Sequence, residues 1–179
     1  MNHSELLKRL SACREATEWY NGRDSKAAWA ECERGDWMLW IAVRLGVDRK
    51  LIVLATCDCA ETALKHIPSG EERTRIALET ARAWTRGEAT IEQVRAAADA
   101  AADAAAYAAA ADTAAYAAAD AAAYSAAAAA AAAADAAYAY AAAAAAAAYA
   151  RRESLRNSAE LVRKQIPWEV VAKALEGKP

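Results

Sequence analysis

The chain contains a long alanine tract between residues 96 and 150, where only thirteen residues are not alanine. No glycine or proline occurs from 95 to 166, and alanine is the best helix former. One helix over that span would be about 108 Å long, whereas a globular chain of this size has a radius of gyration of about 16 Å. The tract must therefore fold back, and we predict breaks near 111–113 and 134–136, where short polar side chains can cap a helix.

Aspartate and tyrosine punctuate this tract at helical spacing. Three pairs are four residues apart: Asp103 and Tyr107, Asp112 and Tyr116, Asp120 and Tyr124. Each pair shares a helix face, but successive pairs would spiral around a continuous helix, which favours several shorter helices. The tyrosines either fill gaps beside solubilising aspartates or face a partner, so Asp112, Tyr116, Asp120 and Tyr124 are candidate binding residues.

The rest of the chain shows amphipathic helical patterns between capping signals. We predict helices from Glu5 to about Tyr20, from Asp24 or Ser25 to Gly35, from Asp36 to Gly46, and from about Arg49 to His66 after an Asp48 cap. Further helices are predicted from about residue 69 to Gly87, from a Thr90–Gln93 capping box into the tract, and from Pro167 to Gly177.

No segment alternates apolar and polar residues between turns, so a sheet is not expected. The predicted fold is all-α: a compact multi-helix bundle of about eight to nine helices with closely packed Ala-rich helices. We expect one domain over 1–179, with Trp/Leu-rich helices in 1–94, the Asp/Tyr-punctuated helices in 95–150, and C-terminal helices in 151–179. The large apolar residues of the core are expected from the two ends.

Charge and hydropathy limit the classes of partner. The net charge is −2 with five aspartates in the tract, which does not indicate nucleic-acid binding. No run of strongly apolar residues is long enough to span a membrane, and the start lacks the features of a secretory signal. A cytoplasmic protein is therefore expected. Close packing of alanine faces is compatible with a homo-oligomer.

Groups typical of catalysis or metal binding are sparse. Cys13, Cys32, Cys57 and Cys59 are expected to be buried thiols in a reducing compartment rather than disulfides or metal ligands. His66 is expected to lie at a helix end. No nucleophile–base pattern or phosphate-binding loop is present, so we expect no enzyme activity, cofactor or metal.

The stretch "AWAECERGDWMLWIAVRLGVDR", residues 28–49, interleaves charges with tryptophans. It contains the candidate binding residues Glu31, Arg34, Asp36, Trp40 and Arg44. A structural interpretation is that the polar residues cap helices and the tryptophans form the core. Arginines beside indole rings could also meet carboxylates or phosphates of a partner.

Several segments, in order, resemble one protein family. They are "CREATEW", "AWAECERGDWMLW", "CDCAETAL", "ARAWTRGEAT", the alanine tract and "LVRKQIPWEVV". The chain is similar here to a family of immunity proteins with an Imm-five-like domain, found in bacterial and phage genomes. The resemblance implies a role beside toxins but no particular target, and it transfers no catalytic residues.

Two functions follow from these patterns. The first is a non-enzymatic binding protein that neutralises a toxin or defence protein, with a protein as partner. The alternative is a phage sponge that sequesters a small nucleotide in a Tyr/Arg-lined pocket, with Arg34, Arg44, Arg82 or Arg152 meeting phosphate. A deep pocket with clustered tyrosine and arginine would favour the sponge, and a pocketless bundle with an exposed acidic-aromatic patch would favour the binding protein.

Overall fold

The predicted all-α fold is confirmed by the computed structural model, which describes residues 3–62, 64–66, 69–108 and 148–177. Within these ranges the chain forms α-helices, one short 3-10 helix at Leu64–His66 and no strand. The α-helices are α1 (His3–Arg9), α2 (Arg14–Tyr20), α3 (Ser25–Glu31), α4 (Gly35–Leu45), α5 (Arg49–Glu61), α6 (Arg73–Arg86), α7 (Ile91–Ala108), α8 (Ala148–Gln165) and α9 (Trp168–Glu176).

The first predicted helix, from Glu5 to Tyr20, is wrong in one respect, because two helices occupy that span. Ser11 between them has φ 61°, a left-handed conformation that a continuous helix does not allow. Cys13 then caps α2, its Sγ accepting a hydrogen bond from the Ala16 amide at 3.5 Å. Apolar spacing stays in phase across this break, so the sequence pattern did not reveal it.

Gly35 does not stop a helix as predicted. Helix α3 ends at Glu31, Cys32 is extended, and Gly35 is the first residue of α4. A Cβ atom at Gly35 would lie 2.6 Å from the Ser158 Cβ and 2.7 Å from the Ala159 nitrogen. The glycine is therefore needed for the close approach of α4 and α8.

Several predicted helix ends are confirmed. The Asp48 side chain accepts a hydrogen bond from the Lys50 amide at 2.8 Å, and Thr90 and Gln93 form the reciprocal capping box. Gly46 and Gly87 end α4 and α6 with φ 79° each, a conformation that favours glycine. Helix α5 ends at Glu61, earlier than predicted, and the 3-10 helix follows.

Helix α8 is central to the packing. It packs against α4 and α5, α5 packs against α6, and α6 packs against α7, while α9 contacts α3 and α4. The main core contains Met38, Leu39, Val162 and Ile166. A second cluster lies between α5, α6 and α7, and Ala77, Ala98 and Ala101 pack together in a third. The described large apolar core residues thus come from outside the alanine tract.

The predicted breaks in the alanine tract, at 111–113 and 134–136, lie outside the described residues. Helix α7 carries the chain from the capping box into the tract as far as Ala108. In the part of the chain that the structure describes, no helix is both long and apolar enough to cross a membrane.

The four cysteines are free thiols, as predicted, but they are not all buried. Cys32 and Cys57 are buried and Cys59 is half-buried, whereas Cys13 is exposed at the start of α2. Burial raises the pKa of the Cys57 thiol from its ordinary 9.0 to about 12, because the thiolate would lose its hydration.

Replacing Gly35 with alanine should destabilise the fold by about 1–3 kcal/mol, because the added methyl group overlaps atoms of α8. Chemical denaturation of the two proteins measures the difference. Gly177→Ala is the matched control, since its Cβ would meet only the Ala174 carbonyl oxygen at 3.8 Å. Equal losses in the two variants would contradict the close approach.

The raised Cys57 pKa predicts a loss of stability in alkali. The folded state keeps this proton up to about pH 12, whereas the unfolded state loses it near pH 9.0. Stability should therefore fall as pH rises above 9.0, by up to about 1.4 kcal/mol per pH unit from this thiol. Urea denaturation at several pH values in this range should show a shallower decline of stability with pH for Cys57→Ala. The decline for Cys13→Ala, the control, should match that of the original chain. A Cys57→Ala curve parallel to that of the original chain would refute the assignment.

Candidate functional site

A partly open cavity of about 490 Å³ lies among α1, α2, α3, α4 and α9. This volume is in the range of small-molecule pockets. The lining is mostly apolar, and five of the six tryptophans in the chain contribute to it: Trp19, Trp29, Trp37, Trp40 and Trp168. The cavity is thus the main aromatic feature of the described residues.

Helical spacing places the tryptophans around the cavity. On α4, Trp37, Trp40 and Ile41 are three and four residues apart and share one face. The α2 residue Trp19 meets Trp37 with ring centroids 6.1 Å apart, inclined at 60°, an arrangement favoured by aromatic rings. Trp168 of α9, which is far from the other tryptophans in the sequence, also contributes to the wall.

Two charged side chains, Arg34 and Asp36, line the cavity wall and are paired with each other. The Arg34 guanidinium donates to both carboxylate oxygens of Asp36, at 2.8 and 2.6 Å. It also lies 4.3 Å above the Trp37 ring and 3.8 Å from a Glu15 oxygen. The hydrogen bonds with Asp36 raise the pKa of Arg34. This bidentate pair fixes the geometry of the wall.

Helix α8 contacts residues of the cavity wall through Arg163. The Arg163 guanidinium donates to the Trp29 and Cys32 carbonyls, at 3.3 and 2.8 Å, and so satisfies the end of α3. Burial raises the pKa of the Cys32 thiol. The indole nitrogen of Trp29 is buried without a hydrogen-bond partner among the described residues, which leaves one donor unsatisfied in the wall.

The predicted site residues do not all lie at the cavity. Arg34, Asp36 and Trp40 line the cavity, and the Arg44 guanidinium lies 5.6 Å from the Trp40 ring centroid. Glu31 is outside the lining and forms an exposed ion pair with Arg23 at 3.2 Å. The predicted residues Asp112, Tyr116, Asp120 and Tyr124 lie outside the described residues.

Sequence reasoning missed most of the cavity wall. It did not associate Trp168 with Trp37 or Trp40, which lie far away in the sequence. It also missed Trp19 and Tyr20 on α2. The available signal was the concentration of tryptophan in short amphipathic helices, which are too small to bury so many indoles separately.

Replacing Arg34 with glutamine should lower the free energy of unfolding by about 1–3 kcal/mol, because the Asp36 carboxylate, 18% exposed, loses its bidentate donor. Arg75→Gln removes an ion pair with Glu72 whose two side chains are 56% and 62% exposed and should cost about 0.5 kcal/mol or less. Thermal and urea denaturation measure both. Equal stability of the two variants would contradict a structural role for the Arg34–Asp36 pair.

Comparison with known proteins gives one match. Residues 46–169 match the family described as Imm-5 like putative immunity protein. The match begins after "ERGDWMLW", so most of the cavity wall lies N-terminal to it. No curated protein and no solved structure matches the chain. Since the matched residues make up more than half of the sequence, the chain belongs to the Imm-5 like immunity protein family.

Proposed function

We propose that the chain is a non-enzymatic immunity or counter-defence protein that binds a toxin or defence protein and neutralises it. Membership of the immunity protein family carries this proposal, because it indicates a protein partner such as a toxin. The partner is met in the cytoplasm, where the four free thiols remain reduced.

The chemistry of the cavity supports binding rather than catalysis. Its guanidinium and carboxylate, Arg34 and Asp36, are hydrogen-bonded to each other. The raised pKa of Cys32 keeps that thiol protonated near neutral pH, whereas a nucleophilic cysteine needs a lowered pKa. Neither feature resembles a group prepared to attack or to exchange protons with a substrate.

The structure is not the pocketless bundle that we expected for a binding protein, but the aromatic lining of its cavity supports a protein as the ligand. Tryptophan and arginine dominate the strongest contacts of protein interfaces, where an apolar centre is enclosed by a polar rim. The cavity has this composition, with Trp37 and Trp40 at α4 and charged Glu15 near Arg34. A partner side chain of leucine or phenylalanine size could enter such a space.

The nucleotide sponge fits the described residues less well. Arg34 and Tyr20 both line the cavity, but two carboxylates already neutralise the arginine. Arg82 is bound to Asp58 and Glu61 at 2.7 Å each. A phosphate would have to displace these carboxylates, at the cost of leaving them without a cation.

Co-expression with candidate toxins from the genome that encodes this chain tests the proposed function. The chain should restore growth of cells that produce the toxin, and the purified proteins should form a complex. Trp40→Ala should weaken that complex by about thirtyfold, as truncation of a central interface tryptophan costs about 2 kcal/mol.

Ile76→Ala is the matched control, since Ile76 is a large apolar residue on α6, 51% exposed and outside the cavity lining. It should protect as well as the original chain. Denaturation curves of both variants separate lost binding from lost folding. Absence of both protection and complex formation would overturn the proposed function, whereas protection that is equal in both variants would exclude the cavity as the binding surface.

A further inference from the structure

Three cations cluster at the turn between α4 and α5. Arg44 lies in the last turn of α4, and Arg49 and Lys50 begin α5. All three are exposed, and none forms an ion pair among the described residues. We call Arg44, Arg49 and Lys50 the basic turn. The adjacent acid, Asp48, is engaged in capping the Lys50 amide at 2.8 Å.

The basic turn differs from most of the arginines in the described ranges. Eight arginines elsewhere in the described ranges are ion-paired with glutamate or aspartate. The folding of the chain therefore neutralises most of its exposed guanidinium groups internally. At the basic turn it leaves three positive charges available to another molecule.

The positions of Arg49 and Lys50 in the first turn of α5 do not stabilise that helix. The first turn of a helix carries a partial positive charge, so each cation there is unfavourable by about 0.3–1 kcal/mol at low salt. The acidic group at this helix start is the N-cap Asp48, one carboxylate beside the two cations. Arg44, at the end of α4, is favourably placed by the same argument. The two α5 residues are thus the ones that an external anion would stabilise.

The basic turn is continuous with the cavity. The Arg44 guanidinium lies 5.6 Å from the centroid of the Trp40 ring, and Trp40 lines the cavity. One edge of the apolar space is therefore covered by a cation, with Arg49 and Lys50 only a few residues further along the chain. A ligand that contacted Trp40 at the cavity wall would therefore lie near the Arg44 guanidinium.

We propose that the cavity and the basic turn form one docking surface for an acidic segment of the partner protein. An apolar side chain of that segment enters the cavity against Trp37 and Trp40, and flanking carboxylates meet Arg44, Arg49 and Lys50. The inference rests on the proposed function, since it assumes a protein partner. It adds the chemistry of that partner's contact segment.

A peptide fits this surface better than a single-stranded nucleic acid. Phosphates could meet the basic turn, but bases would have to enter a wall that holds Asp36, with Glu15 nearby. A peptide needs only a few carboxylates at the turn and one uncharged side chain in the cavity.

The test uses the full chain and three synthetic peptides, with binding measured by titration of tryptophan fluorescence. The first peptide has one leucine between glutamates, the second has lysines in place of the glutamates, and the third has serine in place of the leucine. The first should bind, and its affinity should fall as salt is added. The second and third should bind at least about tenfold more weakly.

Matched charge reversals locate the site. The triple variant Arg44→Glu, Arg49→Glu and Lys50→Glu should weaken binding of the first peptide by about tenfold or more. The control triple variant Lys65→Glu, Arg95→Glu and Lys164→Glu has the same net charge and changes exposed cations elsewhere; it should bind like the original chain. Denaturation curves confirm that both variants fold.

Each outcome decides the inference. Equal loss in both triple variants, tight binding of the lysine peptide, or an oligothymidylate that binds more tightly than the first peptide would overturn it. Protection from the toxin without binding of any peptide would overturn this inference and leave the proposed function intact. Peptide binding at the basic turn without protection would support the surface and count against the toxin as its partner.

Discussion

The close approach of α4 and α8 at Gly35 determines how the rest of the molecule is arranged. Because this residue has no Cβ, Ser158 can lie directly against the start of α4. The approach brings Arg163 of α8 to the carbonyls that end α3. The chain then turns at Pro167 into α9, which places Trp168 in the cavity wall. The position of the cavity thus follows from one helix contact.

Local signals gave reliable predictions of the fold, because caps act within a few residues. Asp48, Thr90 and Gly87 end or begin helices as their chemistry requires. The sequence could not reveal why Gly35 is a glycine, since its neighbour Ser158 is distant in the chain. Ser11 carried no breaker signal either, although it adopts a left-handed conformation with φ 61°.

The lining of the candidate site was predicted only in part, because the sequence shows local patterns but not contacts between distant segments. Arg34, Asp36 and Trp40 share a short segment, so their interleaved charge and aromatic character was visible in the sequence. Their connection with Trp168 depends on how α9 packs against α3 and α4, which no local pattern encodes. Glu31 lies in the same segment but forms an ion pair with Arg23 outside the cavity lining. A position in this segment was therefore not enough to identify a lining residue.

The exposure of Cys13 has a practical consequence. Its thiol lies at the start of α2 and lines the cavity, whereas Cys32 and Cys57 are buried and Cys59 is half-buried. A maleimide reagent should therefore react first at the cavity, without any introduced cysteine. A fluorophore attached there would be an optical reporter in the native chain, and its emission would change when another molecule displaced water from the surrounding indoles.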